Sequence, residues 1–259
     1  MLSKENCIKA INLWETTRTN FTKIRTLIAP STVFNFSKDD CEWIKENNNN
    51  SNFHAYAGVY NDQFILISVP LDKNGLEIDL DSYLTTTLTD LKEDITLIET
   101  DVVTTVTKTT LSTNLEITKH WKEIDLPTYN APTISERAAV NYIEKWKNEC
   151  LDWFYYQCTS SSKGENIFRA FKIPFADLSR DDQKQDDVIA LFGFKHSSIY
   201  QSLLPLLVFV TVVDQTNIAQ IIRASNIQTE LDTNTRDWAR PCPPLCKDKT
   251  DFTLLYMDE

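Results

Sequence analysis

Two amphipathic stripes with the same stepping, far apart in the chain, constrain the fold most. In the first, Ala10, Trp14, Thr17, Phe21, Ile24 and Ile28 recur every three or four residues. That spacing predicts one helix over residues 3–28, ended by Pro30. In the second, Ala139, Ile143, Trp146, Cys150, Trp153 and Gln157 step in the same way, behind a capping box of Thr133 and Glu136. Setting Ala10-Ile11-Asn12-Leu13 over Ala139-Val140-Asn141-Tyr142 aligns the stripes. Further on, Ser37-Lys38-Asp39-Asp40 matches Ser179-Arg180-Asp181-Asp182, and Ala55-Tyr56-Ala57-Gly58-Val59 matches Ala190-Leu191-Phe192-Gly193-Phe194. Three matches in one order point to a tandem duplication. The expected fold is α+β: two divergent tandem copies of a helix–short helix–antiparallel strand unit, each helix packed on a sheet. The copies would span residues 1–131 and 132–259, joined by a linker at 126–132.

Local signals fill in the units. Residues 40–46 read as a short helix, and 47–50 are a polar loop. Residues 53–60 and 64–71 flank Asn61-Asp62 as a β-hairpin. Residues 83–124 contain neither Gly nor Pro and are rich in Thr, Val, Ile and Leu, which favours strands, with a helix as the competing reading over 84–94. Residues 203–213 read as a buried strand, being too short and interrupted by Pro205 to span a bilayer.

Charge narrows the partners. The net charge is −11, and no Lys/Arg cluster offsets it. Nucleic acids and anionic membranes attract cationic surfaces, so neither is an expected partner. A basic protein would be favoured electrostatically. The start of the chain shows no basic segment followed by an apolar one, so the expected setting is cytoplasmic, with the six cysteines reduced.

Enzyme motifs are sparse. Gly58, Gly75, Gly164 and Gly193 are the four glycines, too scattered for a phosphate-cradling loop. No cofactor is expected. Cys242 and Cys246 have a spacing that could supply half a zinc site; the other reading is a proline-stiffened turn with packed sulfurs. His54, near Gly58, could act as a general base beside a cleft or be a hydrogen-bonded strand residue; the matching place in the second unit is Ile189. His196 follows Lys195 in an expected turn and reads as solvent-facing; His120, next to Trp121, has no visible partner. Asp39-Asp40, Asp181-Asp182 and Asp186-Asp187 could hold a cation but also suit helix N-termini. Trp153, Phe154, Tyr155 and Tyr156 are consecutive on a helix. One face cannot bury all four, so this run is the expected interaction surface, for a protein partner or for self-association.

The segment Asp237-Trp238-Ala239-Arg240-Pro241-Cys242-Pro243-Pro244-Leu245-Cys246 resembles the tail of a family of small bacterial proteins that ends in an aromatic residue followed by Pro-Cys-Pro-Pro-x-Cys. Phe53 to Gly58 resembles the same family's aromatic-x-Ala-Tyr-x-Gly segment. The resemblance implies a bacterial, cytoplasmic setting and no particular chemistry. The functional expectation is a non-catalytic interaction or structural protein, with a basic protein as one form of partner. The alternative is an enzyme or small-ligand-binding protein with a cleft near His54 and Gly58.

Overall fold

The computed structural model of the protein describes residues 1–100, 105–123, 134, 136–178, 187–197, 201–212, 235–236, 239–244 and 252–257. The expected linker, Thr133, and Ser179-Arg180-Asp181-Asp182 lie outside the described residues, as do Asp186 and Cys246.

The first stripe is two helices, not one. Helix α1 spans Lys4–Thr17, with the Ser3 hydroxyl accepting from the Asn6 amide as its N-cap. Helix α2 spans Phe21–Leu27 and is restarted by Asn20, whose side chain accepts from the Lys23 amide. A residue with a short polar side chain competes for backbone donors and so favours a cap over a helix interior. Strand β1 is Leu2–Ser3 and β2 is Thr32–Phe36. Helix α3 spans Lys38–Asn47 behind a capping box of Ser37 and Asp40. The expected hairpin is present as β3 (Asn52–Tyr60) and β4 (Gln63–Val69), turned by Asn61 and Asp62 at positive φ. Strand β5 (Ser82–Asp90) occupies the stretch where helix was the competing reading. Three short strands follow: β6 (Ile95–Thr100), β7 (Thr105–Leu111) and β8 (Ile117–Glu123). Helix α4 is Glu136–Thr159. The remaining strands are β9 (Ala170–Pro174), β10 (Val188–Ser197), β11 (Ser202–Thr211), β12 (Thr235–Arg236) and β13 (Arg240–Cys242). A short 3-10 turn, Thr253–Tyr256, comes last.

The expectation of tandem helix-on-sheet units is overturned by the sheet. The architecture is mostly antiparallel sheet, with four α-helices among the described residues. One ten-stranded sheet runs β12-β11-β10-β2-β5-β4-β3-β9-β13, with β1 paired to β5. The eight strands from β11 round to β13 form a nearly closed, barrel-like wall, because β11 returns beside β13. In this wall the first-half strands β2-β5-β4-β3 form one block, flanked on one side by β10 and β11 and on the other by β9 and β13. Strand β10 pairs with β2, setting Leu191 against Val33, and β9 pairs with β3, setting Lys172 against His54. The physical reason lies at the edges. A four-stranded unit leaves two rows of unpaired backbone groups, and each half covers the other's. Helices α1 and α4 therefore lie against one shared sheet.

One face of each long strand lines the interior. Phe34 and Phe36 of β2, Ala55 and Ala57 of β3, Phe64 of β4, Phe171 of β9, Phe192 of β10 and Phe209 of β11 form one buried cluster with Trp14 and Trp146. The opposite faces of β3 and β10 are also covered, so these strands are buried along both faces over most of their length. Helix α1 crosses β3 at Gly58, where an added Cβ would lie 3.2 Å from the Ala10 Cβ. Helix α4 crosses β10 at Gly193, where it would lie 3.0 Å from the Tyr142 Cβ. Strands β6, β7 and β8 form a separate sheet that packs Ile95, Leu97 and Leu111 against Ala139, Val140 and Ile143 of α4.

Candidate functional site

A buried polar cluster sits on the outer face of β3. Alternation along the strand puts His54 and Tyr56 on the same side as Gly58. The turn after β4 returns the chain to them. The Asp72 carboxylate accepts from the amides of Asn74 (2.8 Å) and Leu76 (2.9 Å), and Leu71 bridges to Glu77. The Glu77 side chain is thereby pointed at β3 while only 5% exposed. Its Oε1 lies 2.6 Å from His54 Nδ1 and accepts from the Tyr56 hydroxyl. Its Oε2 accepts from the Thr253 amide (3.1 Å) and from the Thr253 hydroxyl. The Tyr56 oxygen in turn accepts from the Leu254 amide at 3.3 Å. Burial, followed by the neighbouring Glu77 charge, pushes the Tyr56 hydroxyl well above its ordinary pKa.

The Phe252 ring stacks on His54 with centroids 4.2 Å apart and meets Tyr56 edge-on at 5.7 Å. His54 is fully buried, and among the described residues its Nε2 has no hydrogen-bond partner. A general base must reach its substrate's proton. His54 here donates or accepts within the fold and is sealed beneath Phe252. Gly58 is similarly covered, by Ala10. Sequence reasoning singled out His54 but missed Glu77, Tyr56 and Thr253 as its neighbours. Nothing in the spacing of four residues from three separate segments marks them as a group.

A second cluster missed by the sequence joins α1 to β9. The Glu15 carboxylate pairs with Arg18 and with Arg169 Nε at 2.7 Å. Burial raises the Glu15 pKa, but the hydrogen bond and charge of Arg18, then Arg169, outweigh it and hold the carboxyl below its ordinary value. Arg18 also donates to the carbonyl of Ile167 at 3.3 Å, and the Arg169 guanidinium lies over the Tyr256 ring at 5.6 Å.

The four consecutive aromatics of α4 separate. Phe154 is buried in the interior cluster, and Trp153 is half-buried against Phe154 and Phe194. Tyr155 and Tyr156 are 56% and 66% exposed, with the edge of Phe21 against Tyr155. Cys242 is buried and disulfide-bonded, against the expectation that every thiol stays reduced. A bonded sulfur is not a thiolate, so metal binding there would first require reduction. Burial pushes the Cys7 thiol up to about 11 and Cys150 up to about 12, which keeps both unreactive. Asp40 serves the α3 capping box, and Asp187 accepts from the Lys38 amide at 3.0 Å. His196 is exposed, and His120 lies on β8. Among the described residues no group of three His, Cys, Asp or Glu side chains is placed to hold a metal ion. Nor, among them, is any helix long and apolar enough to cross a membrane. No protein-family model, no curated protein and no solved structure matches the chain.

Proposed function

We propose that the protein is a non-catalytic interaction module whose contact surface is the C-terminal part of α4, and that its partner is a basic protein. The observation that carries this reading is the exposure of Tyr155 and Tyr156 beside the buried Phe154 and the half-buried Trp153. Two adjacent exposed tyrosines supply large contact area with few rotatable bonds, the chemistry favoured at interface hot spots. Asp152 and Glu149, also exposed, lie four and seven residues before Tyr156 and share its face of the helix. A partner presenting Lys or Arg around an apolar spot would complement that face, in line with the chain's net charge of −11.

The test is affinity capture from the protein's own host at low and high salt, comparing the native chain with a Tyr155→Ser/Tyr156→Ser variant. The expected result is a basic protein retained by the native chain, weakened by salt and lost from the variant. Equal capture by both chains would sink the assignment of this face. Partners that are all acidic, or insensitive to salt, would sink the charge argument.

A further inference from the structure

We infer that the outer-face groove between α1, β3 and Glu77 is a peptide-binding groove, occupied in cis by residues 252–257, that reads a segment of the pattern aromatic–Thr–Leu–Leu. The inference is independent of the α4 surface. Each position of the segment meets a distinct feature. The Phe252 ring takes the stack on His54. Thr253 presents an amide and a hydroxyl together to one oxygen of Glu77. Leu254 and Leu255 are buried with Cys7, Ala10 and Ile11 of α1. Tyr256 lies beneath Arg169, and Met257 faces solvent.

The polar half of the contact distinguishes a reading groove from plain apolar packing. Glu77 is a buried carboxylate with four donors, two supplied by β3 and two by Thr253. Without the segment, Oε2 would exchange both of these donors for water. The groove is thus matched to an N–H and an O–H at one position, flanked by an aromatic before and two leucines after. Every one of these contacts is made within six consecutive residues, so a free peptide of the same sequence can make the same set. In the intact chain the tethered copy holds a high effective concentration and outcompetes a free one.

The experiment uses the full chain carrying Phe252→Ala and Leu254→Ala to weaken the tethered segment. The probe is a fluorescein-labelled peptide with the sequence of residues 252–257, followed by anisotropy. Saturable binding to this variant, at least tenfold weaker binding to the native chain, and at least a tenfold loss on adding Glu77→Gln are the expected results. A variant that keeps the native circular dichroism and cooperative unfolding, yet binds no peptide, overturns the inference. So does binding indifferent to Glu77→Gln. Should the double variant not fold, hydrogen exchange on the unmodified chain decides. The Thr253 and Leu254 amides should exchange through a local opening that leaves the Tyr56 amide protected. Exchange of all three only on global unfolding overturns the inference.

Discussion

Helices α1 and α4 solve one packing problem with different chemistry. Each crosses a long strand at a glycine, and each carries a tryptophan four residues beyond the crossing residue, Ala10 to Trp14 and Tyr142 to Trp146. Both tryptophans are 1% exposed. Trp14 donates its indole N–H to the Phe168 carbonyl at 2.8 Å and meets Phe64 edge-on at 4.8 Å. Trp146 instead stacks on Phe192 at 4.5 Å, and among the described residues its indole N–H has no partner. The ends of the helices differ in the same sense. Glu15, Arg18 and Arg169 close α1 with charges. Around Gln157, α4 is closed by neutral groups: Gly164 N–H (2.8 Å) and Ser162 Oγ (3.2 Å) donate to its carbonyl and Asn166 to its side chain (3.2 Å). Close backbone approach fixes where a helix crosses a sheet. The polar groups around the crossing are free to be satisfied in several ways.

That comparison can be broken at four points. Truncating either tryptophan, Trp14→Ala or Trp146→Ala, should cost about 3–5 kcal/mol in urea unfolding. A large loss at only one of them would mean that the crossings are not energetically alike. Gly58→Val and Gly193→Val should each cost about 1–3 kcal/mol, since both crossings are already tight. The Gly193 variant should suffer more, because an added Cβ there would lie 3.0 Å from the Tyr142 Cβ, against 3.2 Å from the Ala10 Cβ at Gly58. Replacing indole by phenyl should separate the two sites by about 1 kcal/mol. Trp14→Phe orphans the Phe168 carbonyl, whereas Trp146→Phe deletes a donor that already lacks an acceptor. Equal costs would show that the Trp14 hydrogen bond contributes nothing.

The smallest effect is in acid. The Glu15 carboxyl is held below its ordinary value in the fold, so its contribution is present above the ordinary carboxylate range of about 4.3 and is lost as pH falls through the folded value. Thermal unfolding of a Glu15→Gln variant should therefore fall less steeply below that range than that of the native chain. Parallel profiles would assign the acid sensitivity elsewhere.

Much of the local structure is legible in the sequence. Asp39 and Asp40 lie in the first turn of α3, the Asn61-Asp62 turn marks the β3–β4 hairpin, and residues 203–211 of the expected strand belong to β11. The break between α1 and α2 was masked by a stripe that continues through Asn20, since periodicity reports a shared buried face and not an unbroken helix. Residues 84–90 are strand because β5 is needed between β2 and β4. Gly58 and Gly193 each mark a helix crossing, but the aligned residues Ala10 and Ala139 do not take equivalent places: Ala10 meets Gly58, whereas Tyr142 meets Gly193. Strand order was hidden altogether, because pairing between β3 and β9 depends on edges that meet only in three dimensions. The Glu77 cluster was hidden for the same reason, with His54 and Thr253 brought together by the folded chain.

The flanking of the first-half strands on both edges by second-half strands has a consequence for synthesis. Strands β2 and β3 appear early, yet their partners β10 and β9 come more than a hundred residues later. A nascent chain that has released only its first hundred residues carries two long, apolar, unpaired edges. Such high contact order slows folding, and a ribosome-bound or truncated fragment would be a natural client for chaperones before the wall can close.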